Sequence, residues 1–282
     1  MRQFFQENDL LHNKYLSFSP KFTPMNPDSL RLEKLTELLV EIGIVMISNG
    51  ANSTRTSRNL NRIAKPFDLG LESFFSYSAI IITVEHLKTK EKRTIVKKIP
   101  HHGVNFSIIS EISILSWDVQ QQKMTVEQLE TEFEKIRKEK SYPDWLKIIG
   151  IGITTAALCE VFGGTVTEFF VAFLAGFFGI ISRKFFLDRK FNIFVSFFIA
   201  SFVSTSVVNI FRYFGIHDFH AALSSCVLWT IPGVPLINGF LDTLEGHIVS
   251  GSAKLILGGI LIFVIALGFY LSLFIFGYGY NI

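Results

Sequence analysis

Apolar residues follow two regimes along this chain. Up to about residue 147 they recur with the periods of amphipathic helices and strands; beyond it they merge into long, nearly uncharged runs. In the first regime Leu32, Leu35, Leu39, Ile42 and Met46 repeat every three or four residues, the period of one apolar helix face. This predicts a helix from an N-cap at Ser29 to about Ser48, with Asn49-Gly50 as its stop. A second helix is predicted from Ser53 to Lys65, ended by Pro66, with Leu60, Ile63 and Ala64 inward. Phe74–Glu85 is rich in β-branched and aromatic residues, His86–Lys92 is polar, and Arg93–Ile99 alternates, which predicts a hairpin within a small sheet. Asn105 is placed to cap a helix to about Gln122. Thr125-Val126-Glu127-Gln128 reads as a capping box opening a helix with Leu129, Phe133 and Ile136 inward.

The second regime holds five apolar segments: Trp145–Phe162, Thr165–Ser182, Phe191–Phe211, Ala221–Leu241 and Leu255 to about Tyr278. Each approaches the roughly 20 residues that cross a bilayer. Tyr142 and Trp145 at the first boundary, and Tyr278 and Tyr280 at the last, suit the headgroup level. Ala172/Gly176 and Ala175/Gly179, small residues four apart, permit close helix contact. The expected fold is therefore an α+β cytoplasmic N-terminal domain (28–141) followed by an all-α polytopic membrane domain (142–282) of about five transmembrane helices, the fourth proline-broken. Residues 1–27, punctuated by Pro20, Pro24 and Pro27, read as a loose tail; its aromatics Phe4, Phe5, Tyr15 and Phe18 could dock on the domain or on the membrane.

Charge sharpens the division. From Ile148 to Ile282 there are six Asp/Glu and six Lys/Arg, and the first 147 residues hold the other 39 charges. The net charge of +3 is too small to imply nucleic acid. Cys159 and Cys226 lie in apolar segments and read as reduced thiols. Met1–Leu11 lacks the apolar core of an export signal, so the first half is expected in the cytoplasm. Arg183, Lys184, Arg189 and Lys190 in the second loop, and Lys254 after the fourth, then satisfy the positive-inside rule, with the C-terminus outside.

The fourth segment carries the chemistry. Ile231-Pro232-Gly233-Val234-Pro235-Leu236-Ile237-Asn238 puts two prolines and a glycine inside an uncharged span. Each proline removes a helix N–H and clashes with the preceding turn. Broken helices at membrane depth can aim half-helix N-termini at anionic groups. Pro232, Gly233, Pro235, Leu236 and Asn238 are accordingly the candidate carboxylate-binding residues; the competing reading is a kink that only shapes packing. Asp242, just past the break, and Glu160 and Glu168, flanking Gly163-Gly164, are candidates for coupling or gating, against an ordinary interfacial role. His247 reads as a surface histidine. Arg55, Arg58 and Arg62 share one face of the second helix; that face is either simply solvated or meets anionic lipid or substrate. His101-His102 has no third ligand at useful spacing. No HExxH, CxxC, Walker loop or nucleophile elbow occurs, so neither metal nor cofactor is expected, and transport is favoured over catalysis.

These motifs together resemble the threonine/serine exporter family. The matching pieces are Asn49-Gly50-Ala51-Asn52-Ser53, His102-Gly103-Val104-Asn105, Tyr142-Pro143-Asp144-Trp145, Phe162-Gly163-Gly164, Ile231–Asn238, and Gly246-His247-Ile248 with Gly251. The resemblance covers roughly residues 30–282, and the Pro-Gly-x-Pro-Leu-Ile-Asn run is its most specific part. Position 52 departs from it, with Asn where the family usually has Glu. Full-length members fuse a cytoplasmic domain to about ten membrane helices, and this chain has about half of that. It is similar to the split version, in which a YjjP-like half works with a separate small YjjB-like membrane protein. The resemblance implies a bacterial inner-membrane export subunit, with succinate favoured and threonine/serine as the alternative. A membrane scaffold or sensor, or a membrane-tethered hydrolase, are the readings from other classes.

Overall fold

The computed structural model describes residues 27–100, 103–122, 124–139, 142–213 and 219–276. The tail to residue 26, the His101-His102 pair and the terminal Tyr278 and Tyr280 lie outside the described residues. The first layer contains helices α1 (Pro27–Ser48) and α2 (Ser53–Ala64), then strands β1 (Leu69–Phe75), β2 (Ala79–His86) and β3 (Lys92–Lys98). Helices α3 (Phe106–Gln122) and α4 (Val126–Arg137) complete it. The strands form an antiparallel sheet in the order β1-β2-β3. Alternation along β2 sends Ile80, Ile82 and Val84 into the core, against α1 and α2. There they meet Leu39, Ile42, Met46, Leu60 and Ile63, all fully buried. On β3 the inward Arg93 and Lys97 pair with Glu33 and Glu41 of α1, so their aliphatic stems cover the helix.

Local signals explain most boundaries. Gly50 has φ +98° and ends α1, with Ala51 N–H bonded back to Met46 O at 3.0 Å, a Schellman-type stop. Asn52 caps α2 by accepting from Arg55 N–H, and the Thr125–Gln128 capping box is present on α4. Asn105 Oδ1 accepts from Ser107 N–H at 3.2 Å. Two expectations need correction. Helix α1 begins at Pro27, so Ser29 lies within it and is not the cap. The Phe74–Glu85 run is not one strand: Ser76-Tyr77-Ser78 turns the chain, and β1 begins earlier, at Leu69.

The second layer contains α5 (Asp144–Val161), α6 (Val166–Asp188), α7 (Ile193–Tyr213), α8 (His220–Leu228), α9 (Gly233–Leu244) and α10 (Ile248–Ile275). Helices α6, α7 and α10 are each long and apolar enough to cross a membrane, and the bent pair α8–α9 adds a fourth crossing if counted as one. Helix α5 carries Asp144, Lys147 and Glu160 and is not among them. Several such helices mark a multi-pass membrane protein. Helix α6 packs between α5 and α7, and α7 packs on α10. The small residues lie at these seams: a side chain at Gly176 would strike Thr155 of α5, and one at Gly179 would strike Ser204 of α7.

Two helices extend beyond the expected apolar segments. Helix α6 continues to Asp188, so Arg183 and Lys184 are helical, with Lys184 paired to Asp144. Helix α10 begins at Ile248, which puts Lys254 inside it rather than in a loop. The apolar windows stopped at the first charge, whereas the backbone continues wherever that charge finds a partner or a cavity.

Leu60→Ala removes a fully buried side chain from the α1–α2–sheet core. We expect a loss of about 2–5 kcal/mol, read as a lower unfolding midpoint with the membrane helices unchanged in helical content.

Candidate functional site

Helices α8 and α9 meet at a break with a bend of 58°. Thr230 N–H and Ile231 N–H close tight turns on Val227 O and Leu228 O, and Gly233 N–H reaches Ile231 O at 2.8 Å. Pro232 is the N-cap of α9, and Pro235 falls within its first turn, where no intrahelical N–H bond is lost. The geometry therefore accommodates both prolines by ending one helix before them and starting another at them. Leu236 N–H closes the first turn on Pro232 O at 3.3 Å. Val234 N–H has no partner among the described residues.

A cavity of about 380 Å³ opens beside this break, within the size range of small-molecule sites. Pro232, Gly233, Val234, Pro235 and Asn238 line it. Leu236 does not: its side chain faces α10, where a Cβ on Gly258 would come within 2.5 Å of Leu236 Cδ2. Asn238 is half engaged, its Nδ2 donating to Gly50 O at 2.8 Å. The rest of the wall comes from Arg183 of α6, Phe197 of α7 and Lys254, Leu257 and Leu261 of α10. The first layer also contributes, through Gly50 and Ala51 of the α1–α2 turn, Tyr77 of the β1–β2 turn, and Gly103-Val104. Burial raises the pKa of Tyr77 above the usual phenol value, so this residue is a neutral hydroxyl at physiological pH.

The electrostatics of the wall are uneven. Arg183 lays its guanidinium over the Phe197 ring at 4.0 Å. Its Nε is buried without a hydrogen-bond partner, and no carboxylate among the described residues pairs with it. Lys254 is buried and ion-paired to Asp242 at 2.6 Å. Asp242, fully buried, accepts three further hydrogen bonds: from Ser53 N–H at 2.8 Å, Ser53 Oγ at 2.8 Å and Ser250 Oγ at 2.9 Å. Ser53 opens α2, so the carboxylate sits at a helix N-terminus, where a negative charge is favoured. Asn238 and Asp242, four residues apart, thus grip the α1–α2 turn along one face of α9. Phe75 adds an edge-on contact to His247, at 5.9 Å between ring centroids. That contact places His247 against the first layer, not on a free surface.

The other expected site residues lie elsewhere. Glu168 is buried in a capping box with Thr165, whose N–H donates to Glu168 Oε2 at 2.8 Å. It opens α6, fifteen residues and about 22 Å from Arg183 along the same helix. Glu160 is exposed beside it at the end of α5. Both are at the far end of the bundle from the cavity. Arg55 and Arg62 turn onto α3: Arg55 donates to Ser113, and Arg62 donates to Ser116 at 2.7 Å and stacks on Trp117 at 3.8 Å. Burial, with Arg58 nearby, lowers the pKa of Arg62. Arg58 is exposed on the same helix. Among the described residues no cluster of His, Cys, Asp or Glu could hold a metal ion. Three residues that form the site carry no signal of it in the sequence: Arg183 and Lys254 read there as loop cations, and Ser53 as a helix start.

A family model described as "Putative threonine/serine exporter" (ThrE) matches residues 37–276. A protein of Klebsiella aerogenes named "Probable succinate transporter subunit YjjP" is 24% identical over 256 residues, covering 90% of this chain and 98% of its own. A protein of Escherichia coli K12 with the same name is 23% identical over 246 residues, covering 86% of this chain and 95% of its own. No solved structure matches.

Two outcomes follow from this geometry. Lys254→Met leaves a buried carboxylate without its cation and is expected to cost about 3–5 kcal/mol. Adding Asp242→Asn should recover much of that loss, a non-additivity that pulse proteolysis of the membrane-embedded protein measures. Glu168→Gln preserves the capping box and should leave both the melting point and transport near those of the parent; abolished transport would return Glu168 to the coupling role.

Proposed function

This chain belongs to the threonine/serine exporter family, and from that premise we propose that it is a subunit of an export carrier for small carboxylate metabolites, most readily succinate. The observation that carries the reading is the cavity at the helix break, walled by a half-buried arginine that no carboxylate of the described chain neutralises. Both relatives are named as succinate transporter subunits, and they align with this chain over nearly its whole length. The residues assigned to the substrate are Pro232, Gly233, Val234, Pro235 and Asn238, with Arg183 as the charged wall. Leu236, expected from sequence to join them, packs against Gly258 of α10.

In this reading residues 28–141 form a cytoplasmic domain and 142–282 a membrane domain of five crossings in a bacterial inner membrane, with α5 and the α8–α9 pair each crossing once. Arg189 and Lys190, which follow α6, face the cytoplasm. Asp242 has a gating role: with Asn238 it clamps the α1–α2 turn against α9, so the first layer closes the cytoplasmic mouth of the cavity. Five crossings are few to enclose a pathway with two exits, which supports a second membrane half, a small YjjB-like protein. The family's description keeps threonine and serine as the alternative substrates.

The test is efflux of labelled succinate and labelled threonine from cells carrying this protein, with and without the small partner half. Succinate efflux that requires both proteins is expected. Threonine efflux in its place would move the substrate while keeping the site, and efflux of neither, with both proteins in the membrane, would overturn the carrier reading. Val234→Trp, which fills the cavity, should abolish efflux without loss of membrane-inserted protein.

A further inference from the structure

We propose that Arg183 is the counter-ion of a substrate carboxylate, and that the charge balance of the cavity wall selects dicarboxylates over zwitterionic amino acids. The inference rests on reading this cavity as the transport site and adds which ligand class it accepts.

A guanidinium N–H withdrawn from water needs an acceptor, because desolvation is costly for a buried donor left unpaired. Arg183 has the Phe197 ring beneath one face at 4.0 Å and a buried Nε with no partner. Ring stacking satisfies the face of a guanidinium and leaves its in-plane N–H fork unused. That fork matches a carboxylate in two parallel hydrogen bonds. The rest of the wall then decides what the other end of the ligand carries. Lys254 lines the cavity but is neutralised by Asp242, which is not itself part of the lining. No described lining residue is Asp or Glu. The wall therefore carries one net positive charge and no counter-ion for an ammonium group. An amino acid held by its carboxylate at Arg183 would bury its ammonium without an anion. A second carboxylate instead finds the Val234 N–H at the start of the 12-residue α9, and an ammonium at Lys254 whose three donors exceed the single bond to Asp242.

The test uses purified full-length protein carrying Trp117→Phe and Trp145→Phe, which leaves cavity-lining Trp229 as the sole tryptophan reporter. Succinate, succinamate and threonine are titrated. Succinate should bind about tenfold or more tighter than succinamate, which lacks one carboxylate, and threonine should not saturate over the same range. Arg183→Gln should weaken succinate by about ten- to a hundredfold, Arg183→Lys by less. Arg189→Gln, whose side chain stacks on Phe185 away from the cavity, should leave the affinity unchanged. The ligand series on protein with Arg183 intact keeps the proposal testable if Arg183→Gln does not fold. Threonine binding as tightly as succinate, or Arg183→Gln binding succinate like the parent, would overturn it. If the parent binds no succinate, alone or co-purified with its partner half, the carboxylate-carrier reading itself falls.

Discussion

A carboxylate with no exposed surface must draw its solvation from the protein, and Asp242 does so from two other helices at once. Lys254 supplies the charge from α10, Ser250 a hydroxyl from the same helix, and Ser53 both an N–H and a hydroxyl from the start of α2. Charged hydrogen bonds of this kind are individually worth about 1.5–3 kcal/mol, and removal of any donor leaves the others around an under-solvated charge. The arrangement ties the first layer of the protein to the hairpin formed by α9 and α10. The cavity depends on it, because its wall is drawn from both sides of that tie.

The same tie explains the cavity's charge. Two cations approach it, but Lys254 is ion-paired to Asp242, and among the described residues Arg183 has no carboxylate partner. Asp242 turns toward Ser53 and is not part of the lining, so no described carboxylate faces the cavity. The bend between α8 and α9 acts alongside this, since ending α8 before Pro232 leaves open backbone beside the cavity.

Much of the first layer was legible from local rules. The apolar period of α1, the Gly50 stop, the Thr125 capping box and the alternation of β2 are all decided within a few residues of themselves. Proline likewise acts on its own turn, and α8 ends before Pro232 while α9 starts just after it. The site residues were harder. Thr165-Val166-Thr167-Glu168 has the spacing of the Thr125 box, yet an acid in an apolar segment drew attention as a functional charge; the local capping role accounts for its contacts. Arg183 and Lys254 looked like loop cations because an apolar window stops at a charge, and only the fold reveals that α6 and α10 run through them. Ser53 and Asp242 are separated by 189 residues, and no local pattern announces such a pair.

The glycines of the α9–α10 hairpin carry a mechanical consequence. A Cβ at Gly239 would stand 3.0 Å from Gly251 O, so these two helices touch backbone to backbone, with the Asp242–Lys254 pair locking the same seam. Such a seam resists sliding, so α9, the first turns of α10 and the α2 terminus bound to them form one stiff block. The far half of α10 is held in turn against α7, where a Cβ at Gly268 would strike Phe198 O. A push on the α1–α2 turn is therefore passed to the helix bundle and is not absorbed at the seam.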